Sequence, residues 1–160
     1  MTDRETARVT TFVELSPSDA FEVFTEEVDL WWRRGPRFRA GGPTSELRFE
    51  RDAQGRRLVE QSGNERFEIG RVRVWEPGKR LVLDYRQRNF AKEEKTEIEI
   101  RFEVSGEGTR VTLEHRGWDA IDGKHPARHG LTGEAFSSMI GLFWGDIVTS
   151  YRQYARMKRS

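Results

Sequence analysis

Apolar and polar residues alternate most regularly in "KTEIEIRFEVSGEGTRVTLEHRG", residues 95–117. Ile98, Ile100, Phe102 and Val104 interleave with Glu97, Glu99, Arg101 and Glu103. The alternation resumes at Val111 and Leu113 after Gly106-Glu107-Gly108. A period of two breaking at a glycine-rich turn predicts an antiparallel hairpin with one face in a core. On that parity His115 shares the inner face with Val111 and Leu113, and the Glu97, Glu99 and Glu103 row forms a wet outer face.

Weaker versions of the pattern lie on either side. Val9, Thr11, Val13 and Leu15 alternate as a first strand, and Leu47 and Phe49 as another in "SELRFE". "RRLVEQ" is a fainter strand, and "ERFEIGRVRVWEPGKRLVLDYRQR" reads as two strands turning at Pro77-Gly78. Two stretches switch to helical spacing. In "SPSDAFEVF", Ser16 suits a cap, Pro17 the first helical position and Asp19 the positive helix end. Phe21, Phe24 and Val28 follow on one face, with Trp31 and Trp32 at or after the end. From Thr132 to Met157, Phe136, Ile140, Phe143, Ile147, Tyr151 and Tyr154 recur every three or four residues. Gly141 and Gly145 inside that helix cost about 1 kcal/mol each relative to Ala, so they predict close backbone approach or open space above a sheet. Arg156, Lys158 and Arg159 suit its negative end.

The order is strand, helix, about six strands, long helix. Strands in series pair antiparallel, and the last helix is the one long element able to cover their apolar face. This predicts an α+β domain spanning residues 1–160, with a sheet of six to seven strands.

Composition narrows the function classes. Lys plus Arg is 28 and Asp plus Glu 27, a formal net charge of +1, which argues against a broad polyanion-binding surface. The absence of cysteine removes disulfides and thiolate chemistry. No apolar run approaches the roughly 20 residues of a membrane span. The polar start, MTDRETARVTTF, lacks the apolar centre of a signal peptide. A soluble, cytoplasmic protein without a membrane span is expected. No G-x-S-x-G elbow, Walker A loop or dinucleotide glycine pattern occurs, so no cofactor is implied.

Several phrases together resemble a known family. They are "LSPSDAFEVFTEEVDLWW", "EIGRVRVWEPGKRLVLDYR", "TRVTLEHRGW" and the Trp144, Ile147, Tyr151, Tyr154 helix, in that order over most of the chain. The chain resembles the START/Bet v 1-like (SRPBCC) superfamily, and within it the homologues of the activator of heat-shock protein 90 ATPase. The resemblance implies a helix-grip fold, a curved sheet wrapped around the C-terminal helix with an apolar cavity between them. It implies no single function: relatives include a chaperone cofactor, small-molecule carriers and cyclases. A chain of 160 residues leaves no room for a second, chaperone-contacting N-terminal domain, which weighs against chaperone activation.

The candidate chemistry is sparse. His115 is either a structural histidine bonded near the strand end, a polar contact for a ligand, or an acid/base. His125 and His129 have zinc-like spacing, but Gly123, Pro126 and Gly130 crowd them and no H-E-x-x-H glutamate is present, so a solvated loop is expected and no metal. Of Trp31 and Trp32, one is expected in the core and the other at a cavity. Arg33, Arg34, Arg37 and Arg39 with Phe38 could track a phosphate backbone, but acidic neighbours offset them, so no nucleic-acid binding is expected. A single anionic group suits such arginines better.

The leading expectation is a binder of a small apolar or amphipathic ligand, with Trp32, Phe49, Tyr85, Phe102, His115, Met139 and Phe143 as the lining. His115 and Tyr85 would orient its polar end. A chaperone partner is the second expectation. A cyclase or hydrolase using His115 is the third, and no second catalytic group stands out.

Overall fold

A computed structural model of the chain describes residues 5–158. Seven strands form one antiparallel sheet: β1 (Ala7–Val13), β2 (Glu46–Asp52), β3 (Gly55–Ser62), β4 (Glu65–Glu76), β5 (Arg80–Tyr85), β6 (Thr96–Ser105) and β7 (Gly108–Arg116). Their spatial order is β1-β7-β6-β5-β4-β3-β2. Helices α1 (Pro17–Glu26) and α2 (Val28–Trp31) follow β1, and α3 (Gly133–Lys158) follows β7. This is the α+β, helix-grip arrangement the pattern and the resemblance imply. Arg159 lies outside the described residues.

The turns form where the sequence supplies their chemistry. Lys79 N–H bonds to Glu76 C=O at 2.9 Å, with Pro77 inside the turn and Gly78 at φ 76°. Ser16 Oγ accepts from Asp19 N–H at 3.1 Å and caps α1. The sheet bends where pairing slips, between Leu58 and Val59 and again between Val72 and Val74. Such bulges raise local twist and bend a strand. Gly70 lies between them. A Cβ there would sit 1.5 Å from the Asp84 carbonyl oxygen, so only glycine fits.

The core sits between the inner sheet face and the helices. At one end of the sheet α1 does the covering: Phe21 and Phe24 pack edge-on against Phe102 of β6, and Tyr151 of α3 against Phe24. Along its length α3 lies over the sheet, burying Phe136, Ile140, Trp144, Ile147, Val148, Tyr151 and Ala155. Burying one large apolar side chain is worth about 1.5–3 kcal/mol, so this stripe outweighs the two helix glycines. An added Cβ at Gly141 or Gly145 meets nothing within 4 Å. Those glycines leave open space and serve no close approach.

The outer sheet face is less wet than alternation predicts. Glu99 is 2% exposed, beneath Arg80, Arg101 and Arg116. Burial acts to raise its pKa, but hydrogen bonds from these three arginines prevail and hold it at about 2. Long arginine stems cover the carboxylate that short side chains would leave in water.

Two outcomes test this account. Gly70→Ala should destabilise the fold by at least about 3 kcal/mol in urea unfolding, because backbone cannot yield as a side chain can. Gly141→Ala and Gly145→Ala should each stabilise it by about 0.5–1 kcal/mol.

Candidate functional site

His115 lies on the inner face of β7, as its parity requires, and is 1% exposed. Its register partners are Ala7 of β1 and Ile98 of β6. The Trp144 indole N–H, from α3, donates to Nδ1 at 2.9 Å. An indole nitrogen is a donor only, so Nδ1 accepts and Nε2 carries the proton. Nε2 meets Thr96 Oγ1 at 2.7 Å, and that hydroxyl donates to the Tyr85 carbonyl oxygen at 2.9 Å. Both ring nitrogens are therefore in use. Burial pushes the His115 pKa down to about 3, and the indole donor acts in the same direction. Of the roles open to His115, the geometry fits the structural one, with a side-chain hydroxyl in place of the backbone carbonyl. A general base would first have to break one of these bonds.

A cavity of about 600 Å³ opens beside this chain of bonds, between the sheet and α3. Its roof is Met139, Ile140, Phe143 and Trp144 of α3, and Trp32 and Phe38 close one side. The sheet contributes a cross-strand row: Leu47 is opposite Glu60, and Glu60 is opposite Phe67. Ile69, Tyr85 and His115 complete that floor. The exposed Arg37, Arg88, Asn89 and His129 stand at the mouth.

Five of the seven expected lining residues, Trp32, Tyr85, His115, Met139 and Phe143, are brought together around this cavity. Phe49 and Phe102 are not. Phe49 packs on Trp75, and Phe102 on Phe21 and Phe24, where α1 fills the space above the sheet. Parity alone selects the face and does not tell which end of it a helix occupies. Trp31 is the core member of its pair, against Phe24 and Tyr151, while Trp32 reaches the cavity and donates to Phe38 C=O at 3.0 Å.

Sequence reasoning misses Glu60. It is 3% exposed and lies two residues from the inward Leu58, so strand parity was the available signal. Oε2 accepts from Gly41 N–H at 2.9 Å and Ser45 Oγ at 2.7 Å. Oε1 accepts no hydrogen bond from a described residue; its nearest cation is Arg88, 4.0 Å away. The Tyr85 hydroxyl likewise has no described hydrogen-bond partner, and burial followed by the Glu60 charge raises its pKa.

Two loops differ from the solvated segments expected. Arg39 is 1% exposed and donates to Asp29 Oδ1 at 2.6 Å, Ser45 C=O at 2.7 Å and Trp32 C=O at 2.7 Å. It is the internal brace of residues 33–45, not a phosphate contact. Arg128 is 2% exposed, pairs with both oxygens of Glu5 and donates to Trp118 C=O at 2.6 Å. His125 Nδ1 accepts from Ala127 N–H at 3.0 Å and caps a short 3-10 turn, Pro126–Arg128, while Nε2 meets Glu94 at 3.2 Å. His129 is exposed, at φ 52°. Among the described residues no three histidine or carboxylate side chains converge on a metal position. No described helix is long and apolar enough to cross a membrane.

An antiparallel sheet closed by a C-terminal helix over an aromatic cavity defines a helix-grip protein. This chain belongs to the family described as activator of Hsp90 ATPase homolog 1-like proteins, whose model matches residues 14–140. Among solved structures it is similar to CalC from Micromonospora echinospora, described as a self-sacrificing resistance protein (21% identity, TM-score 0.58, 98% of this chain and 97% of that one). It is also similar to DynU16, from the dynemicin biosynthetic locus (16% identity, TM-score 0.62), covering 97% of this chain and about half, 48%, of that one. A third likeness is to the Aha1 dimer from Colwellia psychrerythraea (13% identity, TM-score 0.57, 97% and 98% covered). At these identities the likeness concerns the fold. No curated protein sequence matches.

His115 makes stability acid-sensitive. Its folded pKa, about 3, lies below the ordinary 6.5. The stability tied to neutral His115 is complete above pH 6.5. Below it the unfolded chain binds a proton that the folded chain refuses, so stability falls until the folded pKa is reached. The slope from this residue approaches about 1.4 kcal/mol per pH unit. Between pH 6.5 and 5, where ordinary carboxylates scarcely titrate, His115→Gln should show a shallower loss than the parent in chemical denaturation. Parallel curves would refute a buried neutral His115.

Proposed function

We propose that the protein binds a small apolar or amphipathic molecule in the cavity between the sheet and α3. The observation that carries this reading is the cavity itself. A space of about 600 Å³ falls within the roughly 300–1,000 Å³ range of small-molecule sites. Trp32, Phe38, Leu47, Phe67, Ile69 and the α3 residues form apolar walls, while Arg37, Arg88, Asn89 and His129 stand at the mouth; apolar walls give affinity by burial, and polar groups give orientation by hydrogen bonds. Trp32, Met139 and Phe143 supply wall area, and Tyr85 offers a hydroxyl with no hydrogen-bond partner among the described residues. His115 supports the floor through Trp144 and Thr96 and does not itself hold the ligand's polar end. Catalysis ranks below binding because both His115 nitrogens are engaged.

Binding of N-phenyl-1-naphthylamine, followed by its fluorescence, tests the reading. The parent should bind it saturably, with quenching of tryptophan emission from Trp32 and Trp144. Met139→Trp, which fills the roof, should weaken binding at least about tenfold with little change in melting temperature, since the added ring enters empty space. Native mass spectrometry of protein purified from its own host should find a retained small molecule. No saturable probe binding and no retained mass would overturn the proposal.

A further inference from the structure

The polar groups lining the cavity fall into two sets: exposed or half-buried side chains, Arg37, Arg86, Gln87, Arg88, Asn89 and His129, and the buried acceptor Glu60 with the Tyr85 hydroxyl. Glu60 is an acceptor set into an otherwise apolar row, between Leu47 and Phe67 on the neighbouring strands. A carboxylate has about four lone-pair sites. Oε2 meets two donors, Gly41 N–H and Ser45 Oγ, so that oxygen is anchored by the 40–45 segment. Gly41 is pressed close enough that a Cβ there would lie 2.9 Å from Oε2. The anchoring fixes the rotamer and leaves Oε1 as the oxygen without a hydrogen bond.

The arginines of the lining each have contacts within the protein, and none makes a hydrogen bond to Glu60 Oε1. Arg88 lies 4.0 Å from Glu60 Oε1 and 4.0 Å from Glu65, with its guanidinium over the Phe67 ring. Arg37 is 3.7 Å from Asp146 and stacks over Phe38. Arg86 turns to the carbonyls of Ala91 and Glu94. The deep wall therefore presents a preset acceptor, Oε1, and the unpartnered Tyr85 hydroxyl, framed by the faces of Trp32, Phe67 and Trp144.

We infer that the ligand is a hydrogen-bond donor: an amphipathic molecule whose apolar body fills the cavity and whose hydroxyl or ammonium end donates to Glu60 Oε1 beside the Tyr85 hydroxyl. This rests on the binding reading above and adds the class of ligand. A carboxylate ligand would bring a second anion to Oε1 and is disfavoured. A buried carboxylate left without its donor costs affinity, so a body without a polar end also binds more weakly.

Four probes share one apolar body: 2-naphthol, 1-naphthylmethylamine, 2-naphthoate and 2-methylnaphthalene. Titration calorimetry and tryptophan quenching on the full chain at pH 7 should rank naphthol and the amine at least about tenfold tighter than the other two, the size of one hydrogen bond to a charged group. Glu60→Gln should reduce the amine's advantage most, since the charge is removed and an acceptor retained. Tyr85→Phe, which removes one oxygen and keeps the ring, should weaken naphthol binding and serves if Glu60→Gln does not fold. If methylnaphthalene or naphthoate binds as tightly as the donors, or neither substitution changes the ranking, the donor inference is overturned while the binding cavity stands. If none of the four binds, both fall together.

Discussion

The fold is closed at its centre by one run of directional hydrogen bonds, Trp144 to His115 to Thr96 to the Tyr85 carbonyl. Each step fixes the next. The indole can only donate, so the imidazole accepts on Nδ1 and carries its proton on Nε2. Thr96 then accepts that proton's bond and directs its own hydrogen to the β5 carbonyl. The run joins α3 to β7, β6 and β5 and sets the height of the helix above the sheet. Met139, Ile140 and Phe143 ride on the same helix, so the cavity roof is tied to the His115 hydrogen bonds. The low dielectric that strengthens these bonds also makes a protonated His115 costly, because its Nδ1–H would face the indole N–H.

The cavity lies where it does because the two long coverings of the sheet do not share the work evenly. α1 lays Phe21 and Phe24 over the Phe102 end and fills it. Over Tyr85 and His115 lie α3, the 33–45 loop and the segment that carries Trp118, Ala127 and His129. A loop has no repeating apolar stripe with which to fill a wide space. It can hold a wall in place only if its own backbone is satisfied, and Arg39 does this from inside with the help of Asp29, which also accepts from Leu47 N–H at 2.9 Å. The buried guanidinium is tolerated because a carboxylate and several carbonyls surround its donors.

Much of this was legible in the sequence, and the part that was not has a common cause. Period-two alternation placed β6 and β7 and aimed His115 inward. The three- and four-residue spacing placed α1 and α3 to within about a turn. Five cavity residues followed from the sequence pattern joined to the cavity that the family resemblance implies. Phe49 and Phe102 did not, because a face is one-dimensional information and the position of α1 along the sheet depends on the whole chain. The partners of His115 and the role of Arg39 were hidden for a related reason. Each is decided by partners far away in sequence or by backbone carbonyls, which carry no side-chain signature. Glu99 reads as a solvent-facing residue by alternation, and only the convergence of three arginine stems over it makes it buried.

Glu60 shows how a polar residue in a wall can be separated into structural and functional parts. Removing a carboxylate from water costs several kcal/mol unless its oxygens are paired. The Oε2 side of that cost is met: Gly41 and Ser45 bind it and in doing so tie the loop to β3. An uncharged acceptor would hold the loop equally well and bury more cheaply. What the loop does not account for is Oε1, which shares the cavity lining with a tyrosine hydroxyl that likewise has no hydrogen-bond partner among the described residues. Both groups line the cavity, where a donor that enters can reach them. Under the proposed binding function, selectivity would rest on those two atoms, with the tryptophan and phenylalanine walls contributing affinity to every body that fits.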